Sequence, residues 1–570
     1  MVVTRPSPSP PRSRRLRRLV PLLVLAAGAF AGGLIAGGGH EPSERRLARE
    51  YADAWEREDY ARMYSMLTAP ARAETSLRSF ARQYRRARVT ATLGRLRAER
   101  PPSIREESVT VPFMVGTRVF GGFEAPVTLP LGEDDDGEPA VAWAPHLVLP
   151  GLRTGERLTR DTRMPERATI EARDGTPIAE GEARLSELDA LASEIAGRVG
   201  PAPPERAEEL AARGVPDGAP VGLTGLEREF DAELAGTPGG ELLAGERVLA
   251  TTSPRPGRSV RTTIDPRIQR AAVEALAGRY GGIAAVRPRT GEVLALSGVA
   301  FSAPQPPGSV FKIITLAGAL EAGTVKRNEG FPVQTAATLE GVELQNANGE
   351  ACGGSLINSF AHSCNSVFAP IGAELGAERL AAAAERFGFN KEPQLIGAAR
   401  STIPAAGEIG DDLAVGSTAI GQGKVLTTPL QMALIAAAIG EEGRLMEPTL
   451  RKGERTGSSQ ATPRSVARFV GRGMREVVKT GTGVGAAVKG VPVAGKTGTA
   501  ELRSTVSEDP VPAAPGEPTP AEDLTDTDAW FAAFAPSRNP RIAVSVLLIA
   551  QGAGGEVAAP AAAQVVDAGV

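Results

Sequence analysis

Cysteine and histidine are both scarce in this chain of 570 residues. The two cysteines, Cys352 and Cys364, are too few for a fold held together by a framework of disulfides. The three histidines, His40, His146 and His362, lie far apart in the sequence. A Ser-His-Asp triad would therefore depend on an isolated residue, and a zinc site is not indicated. The sequence predicts neither a metal nor another cofactor.

Lysine is also scarce. It occurs at eight positions, the first of them Lys312, and every other basic side chain apart from histidine is arginine. Arginine stays charged in proteins, whereas a desolvated lysine amine can lose its proton. A lysine in this chain can therefore mark a position where a neutral amine is needed. The formal net charge of −3 gives no indication of a nucleic-acid partner.

The N-terminus is first basic and then uncharged. Residues 1–18 are rich in proline and arginine, and residues 19–39 carry no charge over a length sufficient to cross a bilayer. Arginines before this segment and acidic residues after it predict a cytoplasmic tail at 1–18 and a single-pass plasma-membrane anchor at 19–39. The rest of the chain would then be extracytoplasmic, which removes ATP as a substrate. A cleaved signal peptide is the alternative, because AFA at 29–31 resembles a cleavage site.

Hydrophobic patterning divides the rest of the chain into three regions. Residues 41–155 combine helical spacing, with Ser43 as a candidate N-cap, and alternating strands, which predicts a small α+β domain. Residues 156–255 are weak in apolar periodicity, which predicts a connecting or pedestal module, and within it GLEREFDAELAGTPGG predicts one short helix ended by glycines. Residues 256–570 have helices up to about residue 479 and strands at both ends. The acidic, proline-rich stretch at 503–527 is typical of a surface loop.

A serine and a lysine lie three residues apart in PPGSVFKI at 306–313. On a helix, Ser309 and Lys312 would share a face and lie within reach of each other. Apolar residues surround the axis of the following segment, which predicts a buried helix and a desolvated Lys312. An N-cap serine and a lysine whose stem lies along apolar surface would explain the same pair, and chance alone can produce this spacing.

Two further motifs follow in the same region. Ser363-Cys364-Asn365 follows an apolar, helix-like segment, and Lys496-Thr497-Gly498-Thr499 follows the alternating stretch VPVAG. Ser-x-x-Lys, then Ser-x-Asn about fifty residues later, then Lys-Thr-Gly near the C-terminus resembles the penicillin-binding protein and serine β-lactamase superfamily. The order and spacing of the three motifs are far more specific together than any one of them alone.

The resemblance covers nearly all of the chain after residue 40. TTIDPRIQRAAVEAL, GQGKVLTTPLQMALIAAAIG and AWFAAFAP are similar to the transpeptidase domain of class B penicillin-binding proteins, and GLEREFDAELAGTPGG to their pedestal. Residues 41–155 resemble the MecA-type N-terminal domain. The resemblance implies a multidomain α+β protein: an N-terminal transmembrane helix, a small nuclear-transport-factor-like domain, a pedestal or dimerisation-like module at 156–255, and a transpeptidase domain at 256–570. That last domain would combine an antiparallel sheet with a helical subdomain.

The first two motifs would carry the catalysis. The resemblance implies that Ser309 attacks a carbonyl and forms an acyl-enzyme. Lys312, its pKa lowered by burial and by a second cation, would accept the serine proton. Ser363 would relay the proton to the leaving amine, and Asn365 would hold both the substrate amide and the Lys312 amine.

The third motif would bind the substrate. The resemblance implies that Lys496, with Thr497 and Thr499, binds the terminal carboxylate of the donor peptide, with Gly498 between them. Backbone N–H groups of Ser309 and Thr499 would form the oxyanion hole.

The tetrapeptide of the third motif occurs twice. The first copy, Lys479-Thr480-Gly481-Thr482, ends a helical pattern, where a cation and a following glycine are expected as a C-terminal cap. The second copy follows alternating residues, as a strand that lines a cleft should. We therefore predict that the second copy is the binding motif.

The pairing of the two cysteines stays open in the sequence. Cys364 lies inside the second motif, so a bond to Cys352 would brace that motif in an oxidising compartment. An intervening helix of about ten residues would span roughly 15 Å, which exceeds the reach of a disulfide. The bond is possible only if the chain folds back through Gly353 and Gly354.

The prediction that follows is a membrane-anchored peptidoglycan D,D-transpeptidase. It would acylate Ser309 with a D-alanyl-D-alanine stem peptide and pass the acyl group to an amine of a neighbouring strand, and β-lactams would acylate the same serine. A lipid-linked-precursor polymerase is an expected partner. The alternatives are a β-lactamase or D,D-carboxypeptidase, in which water takes the acyl group, and a non-catalytic β-lactam sensor or divisome scaffold. The sequence offers no candidate for a dedicated deacylating base, and the intact set of motifs disfavours a scaffold.

Overall fold

The computed structural model describes residues 41–99, 101–186, 188, 190–501 and 527–570. The predicted tail and anchor, and all but Thr527 of the predicted acidic loop, lie outside these residues. Within the described part of the chain, no helix is both long and apolar enough to span a membrane. The chain divides into two compact units.

The two units interleave along the sequence. Of the described residues, the first unit contains 41–163 together with 208–216 and 239–253, and the second contains 164–207, 217–238, 254–501 and 527–570. The segment predicted as a single connecting module, 156–255, therefore contributes to both units.

The helices begin and end as follows: α1 Ser43–Glu56, α2 Tyr60–Ser65, α3 Ala69–Glu74, α4 Leu77–Thr90, α5 Ala190–Ala196, α6 Pro204–Ala212, α7 Gly225–Glu229, α8 Asp231–Leu234, α9 Pro266–Leu276, α10 Lys312–Ala322, α11 Leu356–Ala361, α12 Asn365–Leu375, α13 Ala377–Arg386, α14 Ala406–Ile409, α15 Asp412–Ala419, α16 Pro429–Gly440, α17 Arg464–Lys479 and α18 Ala559–Gly569. Single turns of 3₁₀-helix lie at Pro145–Val148, Gly308–Phe311, Ala347–Gly349 and Val484–Ala486, and a π-helical turn lies at Gly554–Ala558.

The strands begin and end as follows: β1 Leu93–Ala98, β2 Ser103–Arg105, β3 Ser108–Thr117, β4 Gly122–Glu133, β5 Pro139–Val141, β6 Leu158–Arg163, β7 Ile170–Glu171, β8 Pro177–Ala179, β9 Val199–Pro201, β10 Pro220–Gly222, β11 Gly239–Ala244, β12 Arg247–Thr252, β13 Val260–Arg261, β14 Gly281–Val286, β15 Val293–Gly298, β16 Gly330–Gln334, β17 Ala336–Leu339, β18 Val342–Gln345, β19 Cys352–Ser355, β20 Arg444–Met446, β21 Ser458–Gln460, β22 Ala494–Glu501, β23 Thr527–Ala535 and β24 Ile542–Leu548.

The first unit packs helices against an antiparallel sheet of order β1-β3-β4-β5, with β2 paired to β3. Burial alternates along β3, because successive side chains of a strand point to opposite faces. Trp55 of α1 contacts Tyr84 of α4 and Phe113 of β3 edge to face. The predicted α+β character is confirmed, but the predicted N-cap is wrong. Helix α1 begins at Ser43 with Pro42 as its cap, and the Ser43 hydroxyl bonds to Glu44 instead.

The second unit is built on a five-stranded antiparallel sheet of order β15-β14-β24-β23-β22. One face packs against α9 and α18, and the other packs against α16 and the helical region between β15 and β22. Because both faces are covered, β24 is buried along its whole length. Strand β22, which carries the third motif, is an edge strand, so one of its backbone edges remains available. An antiparallel sheet with a helical region is the arrangement that the resemblance implies.

Helix α10 lies in the centre of the helical region, and every side chain from Lys312 to Ala319 is buried. The predicted buried helix is thus present, but it begins at Lys312. Ser309 lies in the 3₁₀ turn Gly308–Phe311 before it and not at an N-cap. Side chains at i and i+3 eclipse one another in a 3₁₀ turn, so Ser309 and Lys312 still share a face.

A buried cluster of charges lies within the second unit around α7 and α8. The sequence predicts one short helix here, and the structure has two, separated at Phe230. Glu227, which is 2% exposed, accepts hydrogen bonds of 2.6 Å from Arg167 and Arg184. Asp231 pairs with Arg167 and Arg206, each at 2.9 Å. Burial alone would raise the pKa of Asp231, but the hydrogen bonds from Gly222 N–H and Arg206 and the Arg167 charge lower it.

Replacing Glu227 should destabilise the second unit strongly. The change Glu227→Gln removes a buried charge that pairs with Arg167 and Arg184, whose side chains are 10% exposed, and breaking one side of a buried ion pair costs about 3–5 kcal/mol. The change Glu392→Gln, which removes the partner of Arg400 in an exposed pair, should leave the melting temperature nearly unchanged. Thermal unfolding of the two variants checks this. Equal melting temperatures would contradict a structural role for the cluster.

Candidate active site

The turn before Ser309 is held against two other segments by a glycine. Gly308 has a φ of 52°, and its N–H donates to the Gly421 carbonyl oxygen over 2.9 Å. A Cβ at this position would lie 2.5 Å from the carbonyl oxygen of Thr499 on β22. Only glycine fits so close to the neighbouring backbone. The turn therefore places Ser309 beside the edge strand that carries the third motif.

Lys312 reaches from the start of α10 into the second motif. Its Nζ donates to the Ser363 carbonyl oxygen over 2.7 Å and to Asn365 Oδ1 over 2.6 Å. Ser363 Oγ lies 3.3 Å from the same nitrogen. The Phe368 ring lies 5.7 Å from the amine, and the side chain is fully buried. The first and second motifs are thus joined through one amine.

The second motif occupies the sharp turn between α11 and α12. Ser363 is in the left-handed region, with a φ of 60°, which is uncommon for a residue other than glycine. Asn365 begins α12, and its Nδ2 donates to the carbonyl oxygen of Gln345 at the end of β18 over 2.7 Å. The amide of Asn365 is therefore oriented with its oxygen towards Lys312, as its predicted contact with the amine requires.

A disulfide joins Cys352 to Cys364, with 5.4 Å between the two Cα atoms. The open question of the sequence is thereby decided. The chain leaves Cys352 as strand β19, in which Gly354 has a φ of 88°, and then forms only the six-residue helix α11. Because the helix is short and the chain folds back, the two sulfurs meet. The bond ties β19 to the centre of the second motif.

Lys496 approaches the second motif from β22. Its Nζ donates to Ser363 Oγ over 2.8 Å and to the Thr497 carbonyl oxygen over 3.0 Å. This side chain is also fully buried, and its amine lies 5.7 Å from the Phe360 ring. Ser363 Oγ therefore lies between two lysine amines, at 3.3 Å from Lys312 and 2.8 Å from Lys496.

Both amines are easier to deprotonate than ordinary lysines. Burial, and then the charge of Lys496, lower the pKa of Lys312 well below its usual value. Burial lowers the pKa of Lys496 to about 7. The hydrogen-bond partners named above are all neutral, so a charge on one amine opposes a charge on the other. Burial and the neighbouring charge therefore both favour the neutral form of Lys312, which is the form that a proton acceptor needs.

The rest of the third motif lines the edge of β22. A Cβ at Gly498 would lie 2.8 Å from the Pro307 carbonyl oxygen and 2.9 Å from Trp530 Cβ, so only glycine fits here. Thr499 Oγ1 accepts from the Gly554 N–H over 3.4 Å. Thr497 Oγ1 lies 2.6 Å from the hydroxyl oxygen of Thr482. The structure thus brings the residues of all three predicted motifs into one site.

The first copy of the tetrapeptide confirms the predicted position of its lysine and contradicts the predicted glycine cap. Lys479 ends α17, is 59% exposed and contacts Glu476 at 3.4 Å, so it lies outside the site. The predicted glycine cap is wrong, because Gly481 does not adopt a positive φ. A Cβ there would instead lie 2.2 Å from the Ala361 carbonyl oxygen. Thr482, which the sequence analysis did not assign to the site, contacts Thr497.

Family models match three segments of the chain. The family model described as "Penicillin binding protein transpeptidase domain" matches residues 281–567, which is half of the chain. The chain belongs to the penicillin-binding protein transpeptidase family. Models described as "NTF2-like N-terminal transpeptidase domain" and "Penicillin-binding Protein dimerisation domain" match residues 43–156 and 161–261. The resemblance to a class B protein with a MecA-type N-terminal domain is therefore confirmed.

Relatives of this penicillin-binding protein include two mycobacterial enzymes. Peptidoglycan D,D-transpeptidase PbpA of Mycolicibacterium smegmatis is 32% identical over 59% of this chain and 77% of its own length. The protein of the same name from Mycobacterium tuberculosis is 34% identical over 60% of this chain and 79% of its own length. The penicillin G acyl-enzyme complex of M. tuberculosis penicillin-binding protein A is a solved structure with a TM-score of 0.55 and 28% identity, over 71% of this chain and 99% of that one. The solved structure of Pseudomonas aeruginosa PBP2 has a TM-score of 0.60 and 26% identity, over 72% of this chain and 96% of that one.

The two copies of the tetrapeptide should respond differently to mutation. The change Lys496→Ala removes a charge directed at the acylation site, and we expect a loss of about thirty- to a thousand-fold in the second-order rate of acylation by a penicillin. The change Lys479→Ala should cost only a helix-end interaction of about 0.3–1 kcal/mol in stability and leave acylation nearly unchanged. Measuring both rates and both melting temperatures tests the assignment. A larger rate loss for Lys479→Ala would mean that the first copy is the binding motif.

Proposed function

We propose that this penicillin-binding protein is a serine D,D-transpeptidase that cross-links peptidoglycan stem peptides through an acyl-enzyme on Ser309. The observation that carries the proposal is the buried amine of Lys312, which shares the face of Ser309 and contacts both polar side chains of the second motif. The names of its mycobacterial relatives support the same activity. The solved β-lactam acyl-enzymes of penicillin-binding protein A support covalent binding of β-lactams.

Acylation would begin with Ser309 Oγ attacking the carbonyl carbon between the two D-alanines. The neutral amine of Lys312 takes the serine proton, and an ester bond forms as the amide C–N bond breaks. The leaving D-alanine amine must gain a proton. Ser363 Oγ, 3.3 Å from the Lys312 amine, is placed to pass that proton on.

Substrate positioning would come from β22. The protonated Lys496, with the hydroxyls of Thr497 and Thr499, binds the terminal carboxylate of the donor. Backbone N–H groups of Ser309 and Thr499 stabilise the oxyanion. An amine of a second stem peptide then attacks the ester, its proton returns through the same groups, and Ser309 is released.

An exchange assay tests this function. With a thioester donor and a D-amino acid acceptor, the wild-type ectodomain should form exchange product faster than hydrolysis product. Ser309→Ala should form neither. The exchange rate of Lys312→Arg should also fall by at least about a hundred-fold, because guanidinium cannot accept a proton. Since the pKa of Lys312 is lowered, wild-type activity should persist well below the pKa of an ordinary lysine and decrease as the pH falls through the lowered pKa.

The same assay separates the alternatives. Hydrolysis in excess of exchange would indicate a β-lactamase or D,D-carboxypeptidase, and acylation without turnover of the thioester would indicate a sensor or scaffold. An arginine variant that reacts at the wild-type rate would remove Lys312 as the proton acceptor.

We propose further that residues 19–39 anchor the protein in the plasma membrane, with the N-terminus inside and the catalytic domain outside. The arginine-rich segment before the apolar stretch supports this orientation. The disulfide between Cys352 and Cys364 suits an oxidising, extracytoplasmic compartment. A lipid-linked-precursor polymerase is the partner we propose, because cross-linking consumes the glycan strands that such an enzyme makes.

A reporter fusion tests the topology. Alkaline phosphatase fused after about residue 45 should be active, because it folds only outside the cytoplasm, and it should sediment with membranes. A fusion after about residue 12 should be inactive. Recovery of a soluble mature protein that begins near Gly32 would show that the N-terminal segment is a cleaved signal peptide.

A further inference from the structure

The first copy of the tetrapeptide places the hydroxyl of Thr482 in the site. Thr482 belongs to none of the three motifs. Thr482 Oγ1 lies 2.6 Å from Thr497 Oγ1 on β22 and 3.4 Å from the carbonyl oxygen of Ala361, the last residue of α11. Helix α11 leads directly into the second motif. The Thr482 side chain therefore lies between the strand that carries the third motif and the helix that leads to Ser363.

The backbone around Thr482 is fixed in this position. The Thr482 N–H donates to the Ala361 carbonyl oxygen over 3.1 Å, and the Gly483 N–H donates to Val477 of α17 over 3.0 Å. Gly481 packs so closely on Ala361 that a Cβ would lie 2.2 Å from its carbonyl oxygen. The position of the Thr482 backbone, and with it the contact with Thr497, is therefore fixed by these hydrogen bonds and by the close packing of Gly481.

The direction of the hydrogen bond between the two hydroxyls determines whether Thr497 can donate to a carboxylate. Each threonine has one O–H to donate. If Thr497 donates to Thr482, it offers only lone pairs to the cleft, and lone pairs repel a carboxylate. If Thr482 donates to Thr497, the Thr497 proton is free to bond to the carboxylate.

A bound carboxylate favours donation from Thr482, because a carboxylate can only accept hydrogen bonds and therefore selects the arrangement in which the Thr497 proton points towards it. The 2.6 Å contact between the two hydroxyls allows either to be the donor, and in this arrangement the Thr482 hydroxyl gives up only a long contact of 3.4 Å with the Ala361 carbonyl oxygen. That carbonyl already accepts the Thr482 N–H at 3.1 Å, so it does not depend on the hydroxyl. Donation into Thr497 also polarises its own O–H, which strengthens it as a donor.

We propose that Thr482 is a positioning residue that acts through Thr497: it holds the Thr497 hydroxyl as a hydrogen-bond donor to the terminal carboxylate of the donor peptide or penicillin. This inference rests on the proposed function, in which Thr497 contacts that carboxylate. Thr497 is 5% exposed, whereas Thr482 is exposed, so an isosteric change at Thr482 leaves the packed strand intact. Of the first copy of the tetrapeptide, the site thus contains Thr482 and not Lys479.

The test compares a penicillin with its methyl ester, which lacks the carboxylate charge. Thr482→Val should reduce the second-order rate of acylation by the penicillin about five- to thirty-fold, because a charge-assisted hydrogen bond is weakened. Acylation by the methyl ester, which starts from a slower rate, should change less than about two-fold. Thr482→Ser keeps the hydroxyl and should restore most of the rate with the free acid.

Thr480→Val is the matched control. It makes the same substitution in the same tetrapeptide, but the Thr480 hydroxyl faces the Glu476 carbonyl oxygen of its own helix at 3.4 Å. Both penicillin and ester should acylate this variant at wild-type rates. Melting temperatures of all the variants identify any loss that arises from unfolding.

A double-mutant cycle with Thr497→Val shows whether Thr482 acts through Thr497. If it does, Thr482→Val should cost nothing further once the Thr497 hydroxyl is absent. Additive losses, an equal loss with acid and ester, or no loss at all would overturn the role of Thr482 while wild-type acylation still upheld the proposed function. A wild-type protein that neither turns over the thioester donor nor is acylated by a penicillin would overturn both.

Discussion

Two lysine amines buried against one serine hydroxyl are the constraint on which the rest of the site depends. Ser363 Oγ lies 3.3 Å from Lys312 and 2.8 Å from Lys496, and both lysine side chains are fully buried. Two charges in such a place are unfavourable, because each loses its hydration and repels the other. Burial and repulsion therefore lower the pKa of Lys312 well below its usual value, and burial lowers the pKa of Lys496 to about 7. The surrounding structure must supply the stability that this arrangement costs.

The fold supplies that stability through close backbone packing. Helix α10 is buried along its first two turns, and the Lys312 side chain is buried with it. Gly308 and Gly498 allow the serine turn and β22 to approach within distances that no other residue permits. On the opposite side, the disulfide and the hydrogen bond from Asn365 to Gln345 hold the second motif in its strained turn. Each of the three motifs is thus positioned by an element that is itself packed or cross-linked.

Sequence patterns predicted the elements and missed the ways in which they end. Strong periodicity and alternation identified α10, β22 and the two units' α+β character, because burial on one face or all round leaves a signal in the sequence. Three predictions of this kind were wrong: an N-cap at Ser43, a single helix where α7 and α8 lie, and a glycine cap after Lys479. These features depend on which distant carbonyl or side chain lies nearby. Gly481 is an example, because its role comes from Ala361, more than a hundred positions earlier in the chain.

The sequence by itself determined the three motifs, their order and the preference for lysine over arginine at Lys312 and Lys496, because residue type decides which group can lose a proton. It could not decide whether Cys352 reaches Cys364, since that depends on the length of α11 and on the backbone conformation of Gly354. Nor could it show that Thr482 lies 2.6 Å from Thr497. Contacts of this kind arise only when helices and strands pack in three dimensions, where a difference of one turn of helix moves a side chain by about 5 Å and removes the contact.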